Sequence, residues 1–187
     1  MKRLILASQS PRRKELLEKC GYSFICIPAD VDEIIDESKP LEKEIERLAL
    51  KKAETILTMY PDAIVIGSDT IVVLDNKILG KPKNHVEARR MLNSLSNKKH
   101  SVITGLCIIS NQKKYITSTT SHVSFAKMSE EEIDAYIATG ECDDKAGAYA
   151  IQGYGARYIQ GIEGDYYSIM GLPLHLVYEE LKNMYAY

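Results

Sequence analysis

The segment Ala7 to Leu17, ASQSPRRKELL, sets Arg12, Arg13 and Lys14 directly after Ser10 and Pro11. Ser10 is a favoured N-cap residue and Pro11 a favoured first helical residue, so the three cations fall in a first helical turn. That end of a helix already carries partial positive charge, and each solvated cation there costs roughly 0.3 to 1 kcal/mol. A bound anion would offset the cost. Ser8 and Ser10 beside the turn, helix N–H groups and two guanidinium forks together make a cradle for phosphate or polyphosphate. Pairing of Arg12 and Arg13 with Glu15, or with the acidic 30–46 segment, is the plainer alternative.

Four further residues could take part in such chemistry. Lys52 stands amid the apolar stripe of Leu41, Ile45, Leu48, Ala49 and Ile56, where it either snorkels outward or faces a phosphate. Asp69, in IGSDTIV, follows the β-branched run 63–66 and is expected where that strand ends. Open α/β sheets gather ligands at such ends, although Asp is also a common turn former. Lys81, between Gly80 and Pro82, projects one charge from a turn, toward a ligand or toward solvent. Glu33 lies in DVDEIIDESKPLEKEIE, which reads either as a solvated face or as a source of carboxylate oxygen for Mg²⁺. The four histidines are scattered and receive no role.

The elements that must position these groups follow from periodicity and caps. Leu4 to Ala7 predicts a buried strand and Ser10 to Cys20 the first helix. A second helix runs to about Met59. Ala63 to Ile66 and Ile71 to Leu74 read as strand segments, with Asp75-Asn76 as the following turn. His85 to Leu95 is a helix, and 101–109 with 114–127 form a hairpin around Ser110 to Lys113. Ser129 and Glu132 spell a capping box for a helix ending near Gly140, and Pro173 starts a last helix reaching about Met184. The Gly- and Tyr-rich stretch 141–171 has little periodicity; its length argues for a functional or partly stranded segment.

The 187 residues, 45% of them hydrophobic, suit a single 1–187 domain with room for two lobes. A net charge of −2 lacks the basic signature of a nucleic-acid binder, so a small anionic ligand is the better match. The four cysteines form no C-x-x-C pair, as expected of reduced thiols in a cytoplasmic protein. The apolar start is too short for a signal sequence, and no run approaches a membrane span, so no membrane partner is expected.

LASQSPRRKELL, DVDE, LALKKA, IGSDTIV, ILGKP, DKAGAYAIQG and GDYYSIMGLPL recur in the order seen in the Maf family of nucleoside triphosphate pyrophosphatases, and the chain resembles that family from Leu6 to Leu174. The resemblance implies an α/β fold with an elongated mixed sheet, flanked by helices and split by a central cleft, similar to inosine triphosphate pyrophosphatases. It implies hydrolysis of a nucleoside triphosphate to monophosphate and pyrophosphate with a divalent cation, Mg²⁺ or Mn²⁺, often by a homodimer. Carried over by motif, Ser8, Arg12, Arg13, Lys52 and Lys81 hold the phosphates. Asp69 is the proton acceptor, and Glu33 and Asp69 bind metal. Arg12, Thr70 and Gln152 match the members acting on dTTP and UTP, whereas the sister group acting on 7-methyl-GTP has Trp, Gln and Glu there. Asn97 departs from the pattern, which usually has Gly, and bears only on a turn. A phosphatase releasing orthophosphate and a nucleotide-binding regulator of cell division or septum formation are the competing readings. The regulator would not need Asp69.

Overall fold

The computed structural model describes residues 2–186. Its sheet is built outward from β1 (Leu4–Leu6), whose three residues are all buried, as a strand covered on both faces requires. β1 has two parallel neighbours: Ile5 lies opposite Ile25 of β2 (Phe24–Cys26) and opposite Val65 of β3 (Ile64–Leu74). The chain crosses from β1 to β2 through α1 (Pro11–Glu18) and from β2 to β3 through α2 (Leu41–Met59).

Of the expected stripe on α2, Ile45, Leu48, Ala49 and Ile56 are buried, whereas Leu41 at the helix start is half-buried. Ile45, Leu48, Ala49, Ala53 and Ile56 are fully covered, and the last three share a core cluster with Ile5, Ala7, Val65, Cys107 and Ile109. The helix lies very close to the sheet. A Cβ at Gly67 of β3 would overlap the Ala49 carbonyl oxygen, so only glycine admits this approach.

β3 departs from the sequence expectation. It does not stop before Gly67-Ser68-Asp69-Thr70 but runs through them as a single 11-residue strand. The parallel ladder with β1 ends at the Leu6–Ile66 pair, while β3 continues beside β5 (Lys99–Ile109) and pairs antiparallel with β4 (Lys77–Leu79) over Val72–Leu74. Asp69 is therefore a mid-strand residue just beyond the point where β1 stops. The Asp75-Asn76 turn is as expected, with both residues in the left-handed region at φ 50° and 60°.

The strand order is β2-β1-β3-β5-β6-β7, with β4 attached to β3, giving an open seven-stranded mixed sheet of the expected α/β class. β5 and β6 (Lys114–Phe125) form the expected hairpin, closed by the Ser110 N–H on the Lys113 carbonyl at 2.8 Å. β7 (Ile159–Glu163) pairs antiparallel with β6. The chain divides into two compact units, Met1–Thr70 with Thr104–Thr119 and Gly171–Tyr187, and Ile71–Ile103 with Thr120–Met170.

The second unit contains α3 (His85–Leu95) and α4 (Glu130–Ile137), the latter opened by the expected Ser129/Glu132 capping box. Its Gly- and Tyr-rich stretch is only partly loop: two short 3-10 helices, Ala146–Ala148 and Tyr154–Tyr158, precede β7, and α5 (Tyr166–Met170) follows it. Asn97 takes φ 56°, the left-handed conformation that glycine supplies without strain and Asn tolerates better than most residues. The first unit ends with α6 (Leu174–Tyr185). Among the described residues no helix is long and apolar enough to cross a membrane, and all four cysteines are free thiols.

Candidate active site

The turn into α1 is organised by Ser8. Ser10 occupies the N-cap position, but its own hydroxyl makes no capping bond; instead its N–H donates to Ser8 Oγ at 3.1 Å. Arg13, in the first turn of α1, reaches back across the sheet. Its Nε donates to the Gly171 carbonyl at 2.8 Å, and one terminal nitrogen donates to Thr70 Oγ1 at 3.2 Å. The other terminal nitrogen lies 3.5 Å from Ser8 Oγ. Burial pushes the guanidinium below its ordinary pKa; the Asp69 carboxylate opposes this, neighbouring Arg12 adds to it, and Glu33 opposes it again. These bonds occupy three of the five guanidinium N–H groups. Thr70 is equally committed, because its hydroxyl also shares a hydrogen bond with Thr104 Oγ1 at 2.9 Å.

Lys52 does not snorkel. Its side chain, 8% exposed, turns inward, and Nζ lies 2.6 Å from both Asp69 Oδ1 and Glu33 Oε1. Since Ala49, Lys52 and Ala53 share one face of α2, the glycine-permitted approach at Gly67 also sets the reach from Lys52 to Asp69. Glu33 comes from residues 27–40, which have neither helix nor strand, yet α2 holds this segment along its length. The Glu44 carboxylate accepts the Asp36 N–H at 3.0 Å, Arg47 donates to the Ile34 carbonyl at 2.7 Å, and Lys51 donates to the Asp32 carbonyl at 3.3 Å. Arg47 also bonds Glu44 at 2.7 Å and holds its carboxyl below the usual range, helped by the Asp36 N–H.

Glu33 and Asp69, both on the Lys52 ammonium, are the carboxylates that could hold a divalent cation. Mg²⁺ takes one or two carboxylates and completes its shell with water and substrate phosphates. Among the described residues there is no group of three or more His, Cys, Asp or Glu that could hold a metal ion.

The second unit holds the other two candidates. Lys81 is exposed just after β4, and the preceding Gly80 carbonyl accepts the Gly147 N–H at 3.1 Å, joining the Lys81 turn to the AGAYAIQG segment. Gln152 is exposed on a turn after buried Ile151. Glu44 and Arg47 were not legible in the sequence as supports of the Glu33 segment. Their i, i+3 spacing signals an ion pair but not its hold on that segment.

The family model described as Maf-like protein matches residues 3–184. The chain belongs to the Maf-like family. It is 48% identical over 182 residues to a protein of Bacillus cereus strain ATCC 10987 named dTTP/UTP pyrophosphatase, covering 97% of this chain and 90% of that one. A Geobacillus sp. strain WCH70 protein of the same name is 47% identical over 184 residues, 98% and 99% of the two chains. One from Symbiobacterium thermophilum is 47% identical over 175 residues, 94% and 90%. Among solved structures, the Staphylococcus aureus Ham1 protein shares the fold of this family member with a TM-score of 0.56 at 13% identity, covering 98% of this chain and 100% of that one.

Proposed function

We propose that the protein hydrolyses nucleoside triphosphates, dTTP and UTP in preference to others, to the monophosphate and pyrophosphate, clearing them from the nucleotide pool. The observation that carries this reading is Lys52 bound at 2.6 Å to both Asp69 and Glu33, in a chain 47 to 48% identical to proteins named dTTP/UTP pyrophosphatase. A nucleotide-binding regulator would need a phosphate cradle but not Asp69 and Glu33 gathered on one lysine.

The chemistry follows from the groups present. Asp69 accepts a proton from a water molecule whose oxygen attacks the α-phosphorus; the new P–O bond yields the monophosphate, and the bond to the β-phosphate oxygen breaks to release pyrophosphate. Lys52 holds Asp69 in place and offsets charge building on the phosphates, as does Lys81. Arg12, Ser8 and the start of α1 bind the polyphosphate, with the remaining guanidinium donors of Arg13. A divalent cation held by Glu33 and Asp69 would supply Lewis-acid stabilisation of the phosphate oxygens. Thr70 contributes by fixing Arg13. The Gln152 amide offers an acceptor and a donor, matching the N3–H and O4 of uracil and thymine, whereas cytosine reverses that pattern.

A panel of dTTP, UTP, CTP, GTP, ATP and 7-methyl-GTP with Mg²⁺ or Mn²⁺, scored for pyrophosphate against orthophosphate, tests the proposal. Pyrophosphate release fastest with dTTP and UTP, and solvent ¹⁸O in the monophosphate, are the expected results. Orthophosphate as the product, or 7-methyl-GTP as the best substrate, overturns it.

A further inference from the structure

Gln152 is exposed on a turn in IQGYG, between buried Ile151 and Gly153. A long amide on such a turn would select a base weakly unless something fixed its backbone, because recognition groups need rigid support to discriminate. The support comes from Glu141 and Tyr136. Fully buried Tyr136 accepts the Ala150 N–H at 3.1 Å and donates its hydroxyl hydrogen to Glu141 Oε2 at 2.7 Å. The same carboxylate accepts the Tyr154 N–H on Oε1 at 2.9 Å and the Gly155 N–H on Oε2 at 3.0 Å. One side chain therefore ties the segment entering the Gln152 turn, through a phenol, to the segment leaving it, directly.

The two glycines belong to the same arrangement. Gly153 has φ −108°, outside the left-handed region, and a Cβ there would overlap Glu141 Oε1. A Cβ at Gly155 would stand 2.6 Å from the Ala150 carbonyl oxygen and 3.1 Å from the Tyr136 hydroxyl, so this position too must be bare for the turn to close. Hydrogen bonds to an ionised acceptor are about twice as strong as neutral ones, which suits a clamp of this kind.

We propose that Glu141, with Tyr136 as its relay, is a positioning residue that fixes Gln152 and so sets the choice of nucleobase; this rests on the pyrophosphatase reading and on Gln152 facing the base.

Glu141→Gln keeps the size but turns one acceptor oxygen into an NH₂ that cannot accept a backbone N–H. Gly153→Ala leaves the carboxylate intact and displaces it. Both variants are expected to lower the ratio of kcat/KM for dTTP and UTP over CTP and GTP by roughly tenfold or more, through KM, with kcat little changed. Faster hydrogen exchange is expected at the 150, 154 and 155 amides. A merely structural loss would lower kcat for all nucleotides together with the melting temperature. The double variant Glu141→Gln, Gln152→Ala should be no less selective than Gln152→Ala alone, since Glu141 acts through Gln152. Wild-type selectivity in folded Glu141→Gln, or additive losses in the double variant, overturns the inference. Should Glu141→Gln fail to fold, wild-type selectivity in Gly153→Ala overturns it equally. If the unaltered protein shows no dTTP or UTP preference, the underlying reading has failed instead. Exchange at the three amides then decides the clamp alone: unchanged protection in Gly153→Ala rejects it.

Discussion

Lys52 Nζ on α2 and Asp69 Oδ1 on β3 are 2.6 Å apart in a buried setting, their side chains 8% and 12% exposed. Charges so far from water need each other, and removing one member of a buried pair leaves the other uncompensated at about 3 to 5 kcal/mol. Lys52→Met should therefore lose stability of that order in urea unfolding. Glu33, more than half exposed, can relax into solvent and should soften the loss rather than add to it. A change below about 1 kcal/mol would mean that Asp69 finds another partner.

Asp69→Asn separates base chemistry from packing, because the amide keeps the shape and still bonds a neighbour. Loss of a general base typically costs about 10² to 10⁴ in rate. kcat should fall by about that factor while triphosphate binding, measured by calorimetry, stays near that of the unaltered protein. Turnover at the normal rate would remove Asp69 from the role of proton acceptor.

Arg12 and Arg13 stand side by side in the sequence, and deletion of each has its own readout. Arg13 spends hydrogen bonds on Gly171, Thr70 and Ser8, so Arg13→Ala should cost stability, about 1.5 to 3 kcal/mol even if only one charge-assisted bond counts fully. Arg13→Lys should not restore it, since a point ammonium cannot reach three acceptors in a fork. Arg12→Ala should weaken triphosphate binding by about 1.5 to 3 kcal/mol, read by calorimetry, and unaltered affinity would remove Arg12 from the phosphate cradle.

Local signals made much of this fold legible. α3 begins at His85 and ends at Leu95 as its periodicity requires, and the Ser129/Glu132 box opens α4. Those features depend on residues three or four apart. The continuity of β3 through Gly67-Ser68-Asp69-Thr70 was not legible, because Gly, Ser and Asp spell a turn until a helix is known to press on Gly67. The same limit applies to the site. Lys52 could be placed on a buried face, but its partners lie 17 positions away on a strand and in the 27–40 segment, and only the fold brings them together. Glu141 depends on contacts with Tyr136, Tyr154 and Gly155 that no spacing rule encodes.

His100 gives the protein a pH dependence with a definite sign. It lies on β5 with Nε2 2.7 Å from the Tyr149 hydroxyl, against the rings of Phe125 and Tyr149, and its Nδ1 is buried without a partner. Burial, with His122 adding to it, lowers its pKa from 6.5 to about 4. The unfolded chain therefore takes up this proton first as pH falls. The contribution of neutral His100 is complete above about pH 6.5, declines between 6.5 and 4, and is gone below 4, amounting to about 3 kcal/mol. His100→Gln should lack that component, so the stability of the unaltered protein should fall toward the variant's by up to that amount between about pH 7 and 4. Parallel urea-unfolding curves across the range would show that His100 does not titrate in this way.

Gly67 links the core to the chemistry. Its missing side chain lets the Ala49 carbonyl of α2 approach β3, and Lys52 and Asp69 are carried by those same two elements. Gly67→Ala places a methyl group against a backbone carbonyl, which cannot rotate aside as a side chain would, so α2 must move as a body. Overpacking of this kind costs about 1 to 3 kcal/mol, and the carbonyl contact argues for the upper end. A helix displaced by about 1 Å would also lengthen the Lys52–Asp69 bond, and a misplacement of that size can cost about 10²-fold in rate. The variant should thus lose activity at temperatures where it is still folded. Gly161→Ala, with nothing within 4 Å of the added methyl, is the matched control and should melt like the unaltered protein. Normal turnover in Gly67→Ala would show that the spacing of α2 and β3 does not set the lysine-to-carboxylate contact.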